Sequence, residues 1–178
     1  KFGNDQEVLL ALVNNLKVFT NHDAQLWVDE VIQDGKLRDD QDVLLDLAKK
    51  LKDFTDHEAK LWVAEAIKDG KFGNDQDVLL ALAKKLNVFT DPEAQHRVAE
   101  AIMDRKFGND KDVLLALVGK LEVFTNPKEQ LWVAWAIKDG KFGDDQEVLL
   151  ALVDNLEVFT DPEAKRRVAW EIYRGEFG

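Results

Sequence analysis

The chain has 178 residues, 46% hydrophobic and 33% charged, a balance that suits a soluble protein able to bury a core and argues against disorder. A formal charge of −11 and a pI near 4.7 oppose a phosphate backbone or an anionic membrane, and no apolar run approaches the roughly 18 to 20 residues of a membrane span. The absence of cysteine excludes disulfides, thiolate metal ligands and cysteine nucleophiles.

Neither nucleic acid nor a membrane is therefore expected as a partner. The opening residues, KFGNDQEV, carry no basic and apolar targeting pattern. The lack of an initiator Met is what a trimmed chain would show, and the compartment is left undetermined. Serine is also missing, which hints at engineering.

A 35-residue unit is repeated without insertion or deletion. Lys1, Lys36, Lys71, Lys106 and Lys141 open copies 1–35, 36–70, 71–105, 106–140 and 141–175, and residues 176–178 begin a truncated sixth. Asp5, Val8, Leu9, Leu10, Leu12, Leu16, Phe19, Thr20, Val28 and Ile32 recur identically in every copy. Similarity this high implies recent duplication or design.

In the first copy, Asn4 or Asp5 is placed to cap a helix, with Gln6 and Glu7 in the first turn where the dipole favours negative charge. Val8, Leu9, Leu12, Val13, Leu16 and Phe19 then form one broad apolar face, which predicts a helix from about Asp5 to Val18. Leu10 falls outside that face, as it would in an inner layer. The next punctuation is TNH, TDH, TDP or TNP. In the third copy Asp91 can cap with Pro92 at the first helical position, or Thr90 and Glu93 can form a capping box.

The second helix ends at Gly35, Gly70, Gly140 and Gly175, with Arg105 in place of glycine in the third copy. Its core side is narrow: Ala24, Val28, Val31 and Ile32 in the first copy. The closing loop carries Phe2, Phe72, Phe107 and Phe142, with Leu37 once, as a seal between copies. Ten short helices without strand alternation predict an all-α fold. The expected architecture is one domain, 1–178, an α-solenoid of five helix-turn-helix repeats in a right-handed superhelix. The tetratricopeptide W-x₂-L-G-x₂-Y pattern is missing, so the period alone does not assign that family.

The copies differ mainly along one stripe of the second helix. One position reads Leu26, Leu61, His96, Leu131, Arg166; the next reads Trp27, Trp62, Arg97, Trp132, Arg167. One turn on come Glu30, Glu65, Glu100, Trp135, Trp170, followed by Gln33, Lys68, Met103, Lys138, Tyr173. At about 100° per residue these sites share an arc opposite Val28 and Ile32. Trp, Tyr and Arg are the side chains enriched at interface hot spots, and all five tryptophans lie here. The competing reading is that part of the stripe packs against the next copy.

This division of constant and variable sites resembles engineered two-helix tandem-repeat binders, where a fixed framework presents diversified positions on the second helix. The resemblance implies a protein or peptide partner. It makes Leu26, Trp27, Glu30, Leu61, Trp62, His96, Arg97, Met103, Leu131, Trp132, Trp135, Lys138, Arg166, Arg167, Trp170 and Tyr173 the binding residues. A structural alternative is self-assembly into a homo-oligomer without external ligand, because the first copy shows no polar cap. Arg166, Arg167, Glu171 and Arg174 suggest a partial one at the other end. Catalysis is not expected, since Ser and Cys are absent and no carboxylate pair is distinguished by a pocket. No cofactor is expected. His22 and His57 read as helix-start or surface histidines instead of zinc ligands, and Asp69, Asn74 and Asp75 as caps instead of a calcium loop.

Overall fold

Each copy's punctuation translates into short helices with identifiable starts and stops. The structure, a computed structural model, describes residues 6–18, 26, 30–31, 34, 40–104, 106–107, 110–138 and 145–174. First helices of the copies are α1 (Gln6–Asn14), α2 (Gln41–Lys49), α4 (Gln76–Lys84), α6 (Lys111–Val118) and α8 (Gln146–Asp154). Second helices are α3 (His57–Lys68), α5 (Pro92–Met103), α7 (Pro127–Lys138) and α9 (Pro162–Arg174). No strand occurs among the described residues.

Aspartate fixes both kinds of helix start. Asp75 Oδ1 accepts from the Asp77 and Val78 amides at 3.0 and 3.2 Å, and Asp110 and Asp145 repeat the arrangement. Asp91 accepts from Glu93 and Ala94 at 2.9 and 3.3 Å, so the aspartate, and not a Thr90 capping box, starts α5. Asp56, Asn126 and Asp161 play the same part in the neighbouring copies. A cap of this kind contributes about 1 kcal/mol.

The first helices are shorter than their apolar spacing predicts. Lys50, Lys85 and Asn155 sit at φ between −97° and −108° with ψ between 6° and 10°, and each ends its α-helix, as Gly119 does in the fourth copy. One 3-10 turn follows, at Leu16–Val18, Leu51–Asp53, Leu86–Val88, Leu121–Val123 and Leu156–Val158. Asn15 and Asn155 assist by donating their amides to Ala11 O and Ala151 O, competing with the backbone for those carbonyls. The tightened turn drives Leu16, Leu51, Leu86 and Leu121 into the core, with Phe54, Phe89, Phe124 and Phe159 behind them.

Gly70 ends α3 at φ +68°, and Lys71 N–H reaches back to Ala66 O at 2.9 Å, which closes the last turn. Beyond it Phe72 is buried, as is Phe107 in the next loop, consistent with the sealing role expected of them. Phe2, Leu37 and Phe142 lie outside the described residues.

First helices pack on first helices, α1 on α2, α2 on α4, α4 on α6 and α6 on α8, while α3, α5, α7 and α9 do the same in their own row. Contacts of α7 with α6 and α8, and of α9 with α8, join the rows around a shared core. The second row is lined by small residues: Ala59, Ala64, Ala66, Ala94, Ala99, Ala101 and Ala134 are all buried. Alanine lets neighbouring helices approach closely and fixes which face of each is left for other contacts.

Candidate recognition surface

Burial of Ala59, Val63, Ala64, Ala66 and Ile67 in α3, and of their counterparts, turns the variable positions toward the rim of the second row. Among the described residues, Trp62, Met103, Trp170 and Tyr173 are 46%, 43%, 56% and 69% exposed. Glu30 and Arg166 are also exposed. Trp170 and Tyr173 lie against each other with ring centroids 5.8 Å apart. Leu61 and Leu131 are half-buried against the core, and Leu26, His96, Arg97, Trp132 and Trp135 are half-buried as well. Trp27 and the side chains of Lys138 and Arg167 lie outside the described residues.

In the middle of the surface the variable residues bind one another across copies. Arg97 Nε lies 3.0 Å from Glu65, and Lys68 Nζ lies 3.3 Å from Glu100 and 3.5 Å from Glu65. Arg97 also reaches Glu93 and Glu100 within its own helix. Burial alone would lower the Lys68 ammonium, but the Glu100 and Glu65 carboxylates outweigh it and its pKa stands above the ordinary lysine value. His96 approaches Glu100 at 3.5 Å and Glu129 at 3.1 Å, and its ring meets Trp132 with centroids 5.9 Å apart. Sequence reasoning placed His96, Arg97 and Trp132 on one stripe; the fold brings them together as a seam joining α3, α5 and α7.

Several residues beside the stripe are structural in a way the sequence did not single out. Glu129 occupies the site that is Ala24, Ala59, Ala94 and Ala164 in the other copies, and it is 4% exposed. Burial pushes its carboxyl above the ordinary glutamate range, and the neighbouring His96 only partly offsets this. Gln95, also buried, donates to Phe89 O and accepts from both the backbone N–H and the hydroxyl of Thr125 in the next copy. Gln130 donates to Val158 O in the copy after it. The Trp135 indole N–H is shielded from solvent and has no hydrogen-bond partner among the described residues. The signal for Gln95 and Gln130 was a polar residue directly after the buried Ala or Glu of each second helix.

Of the histidine and loop candidates, Asp75 caps a helix and His57 contacts the cap of another. His57 Nε2 lies 3.1 Å from Asp91, the cap of α5, and His22 lies outside the described residues. Burial would raise the Asp91 carboxyl, but the Ala94 and Glu93 amides and His57 together hold it below its ordinary value. Asp75 is likewise engaged as a cap. Among the described residues no group of three or more His, Cys, Asp or Glu is arranged to hold a metal ion, and no helix is long and apolar enough to cross a membrane.

No family model, curated protein or solved structure matches this chain.

Proposed function

We propose that the chain is a non-enzymatic recognition scaffold, an α-solenoid of five two-helix repeats of the engineered kind, that binds a protein or peptide through the variable face of its second helices. One observation carries this reading. Every large apolar side chain that the described second helices leave exposed, namely Trp62, Met103, Trp170 and Tyr173, stands at a position that changes between copies. Residues needed for packing would recur, as Val63 and Ile67 do. Leaving a large apolar side chain wet forgoes about 1.5 to 3 kcal/mol, so their exposure is better explained by a partner than by the fold.

The stripe offers aromatic contacts at Trp62 and at Trp170 with Tyr173, separated by the ionic seam of Lys68, Arg97 and His96 with Glu65, Glu100 and Glu129. A matching partner carries apolar anchors on either side of a polar centre. The seam's charges are already paired, so it contributes register more than affinity.

Displayed random peptides selected on the immobilised chain test the proposal. Selected peptides should bind the parent measurably by calorimetry, and the triple variant Trp62→Ala, Trp170→Ala, Tyr173→Ala at least about tenfold more weakly. Peptides that bind both proteins equally would remove the stripe from consideration. Failure to select any would remove the recognition reading itself.

A further inference from the structure

The first-helix row carries a surface of its own, away from the variable stripe. Between α2 and α4, Leu45, Leu80 and Ala81, all half-buried, floor an open groove of about 360 Å³. Lys49, Lys84 and Lys85 rim it, and Asp77 is the one carboxylate in its lining. Three ammonium groups thus meet one carboxylate, in a chain whose formal charge is −11.

Comparison between copies shows that this charge is not a property of the repeat. Where the second copy meets the first, Lys50 Nζ donates to Asn14 Oδ1, an ammonium facing a neutral acceptor. The residues at those two places are Lys85 and Lys49 at the next junction, and Lys120 and Lys84 at the one after. An ammonium then faces an ammonium. None of these four lysines makes an ion pair among the described residues, whereas Lys68, Lys111 and Lys165 each do. Helix polarity does not demand them either. It favours a cation in the last turn by about 0.3 to 1 kcal/mol, yet the first helices of the first and fifth copies close on Asn14 with Asn15 and on Asp154 with Asn155. The corresponding groove between α6 and α8 holds one lysine, Lys111, and Asp145 and Glu147 lie 3.2 and 2.7 Å from its ammonium.

Like charges converging beside an apolar floor repel one another until an anion comes between them. We infer that the groove between α2 and α4 binds an acidic peptide segment, with a large apolar side chain seated on Leu45 and Leu80 and flanking carboxylates meeting Lys49, Lys84 and Lys85. Charge complementarity selects the acidic partner. The lysines are spread over two helices, which suits several carboxylates along one strand better than a single lipid head group. The groove is open along its side, so a long alkyl chain would stay partly wet, and a polyphosphate would meet the excess acid of the remaining surface. The groove belongs to the first-helix row and the stripe to the second, so this inference stands apart from the proposed function.

Fluorescence anisotropy of a labelled peptide, Glu-Glu-Leu-Phe-Glu-Glu-Leu-Glu, titrated with the full chain tests it. The peptide should bind in spite of the protein's own negative charge, and more weakly as salt is raised. Lys49 and Lys84 are exposed, so Lys49→Glu combined with Lys84→Glu should keep its helix content by circular dichroism. That variant should bind the acidic peptide at least about tenfold more weakly, and should bind instead the peptide with lysine in place of every glutamate. Serine in place of the peptide's leucines and phenylalanine should also weaken binding to the parent by at least about tenfold. The variant Trp62→Ala, Trp170→Ala, Tyr173→Ala should bind the acidic peptide as the parent does, which separates this groove from the stripe. Absence of binding by the acidic peptide, equal binding by the lysine variant, or a loss seen in the stripe variant alone would each overturn the inference. So would laurate or oligothymidine binding that depends on Lys49 and Lys84 where the peptide does not bind.

Discussion

Among the described residues, Glu129 is the one carboxylate that the fold buries at a position otherwise held by alanine, and its replacement tests the energetics of the seam directly. Its pKa is raised, burial being the larger influence and His96 the smaller, opposing one. A carboxyl that binds its proton more tightly when folded destabilises the folded state once ionised. The loss sets in as pH rises from the ordinary glutamate range through the folded pKa, and is complete above it. Glu129→Gln keeps the shape and removes the charge. His96 is not stranded, because its side chain is 40% exposed and Glu100 lies 3.5 Å away. Glu129→Gln relieves the desolvation of a buried carboxylate while His96 keeps its contact with Glu100, so the variant should be about 1 kcal/mol more stable at pH 7. Urea unfolding followed by circular dichroism, at pH 7 and below pH 4, gives the comparison. The gain should shrink toward the lower pH, where both proteins are uncharged at this site. A loss above about 1 kcal/mol at pH 7 would show that the His96 contact outweighs desolvation and refute the reasoning.

The same unfolding measurement checks the other expectations. Phe107→Ala should cost about 3 to 5 kcal/mol, because the ring is 1% exposed and its loss leaves a cavity between copies. Gly70→Ala should cost about 1 to 2 kcal/mol, since a Cβ is strained at φ +68° although its nearest neighbour, Lys106 Cδ, is 3.6 Å away. Gln95→Ala should cost about 1 to 2 kcal/mol by leaving the buried Phe89 carbonyl without its partner. Trp62→Ala and Trp170→Ala should each cost less than about 1 kcal/mol, as expected for exposed positions; larger losses would assign those rings to packing instead of recognition.

Much of the helical framework was legible because its determinants are local. Asp75 and Asp91 announce their caps by sequence position, and the buried faces of α4 and α5 follow from spacing alone. The break after Lys85 was not legible, because Leu82, Leu86 and Phe89 keep a helix-like spacing through the 3-10 turn. The stripe was legible as a set of variable positions, but its division was not. Trp62 is exposed and Trp132 half-buried although both occupy the same place in their copies; His96 on the preceding helix makes the difference visible through its ring contact. Glu129 and Gln95 were hidden for a similar reason. A polar residue reads as solvated until the neighbouring helix supplies its shield and its bonds.

The glutamine ties have a consequence for how the molecule comes apart. Gln95 holds the third copy to Thr125 of the fourth, and Gln130 holds the fourth to Val158 of the fifth, so peeling one unit from the next exchanges each of these bonds for bonds to water. Each tie therefore adds about 0.5 to 1.5 kcal/mol to opening at its boundary, and amide protons in α5 and α7 should exchange more slowly because of it.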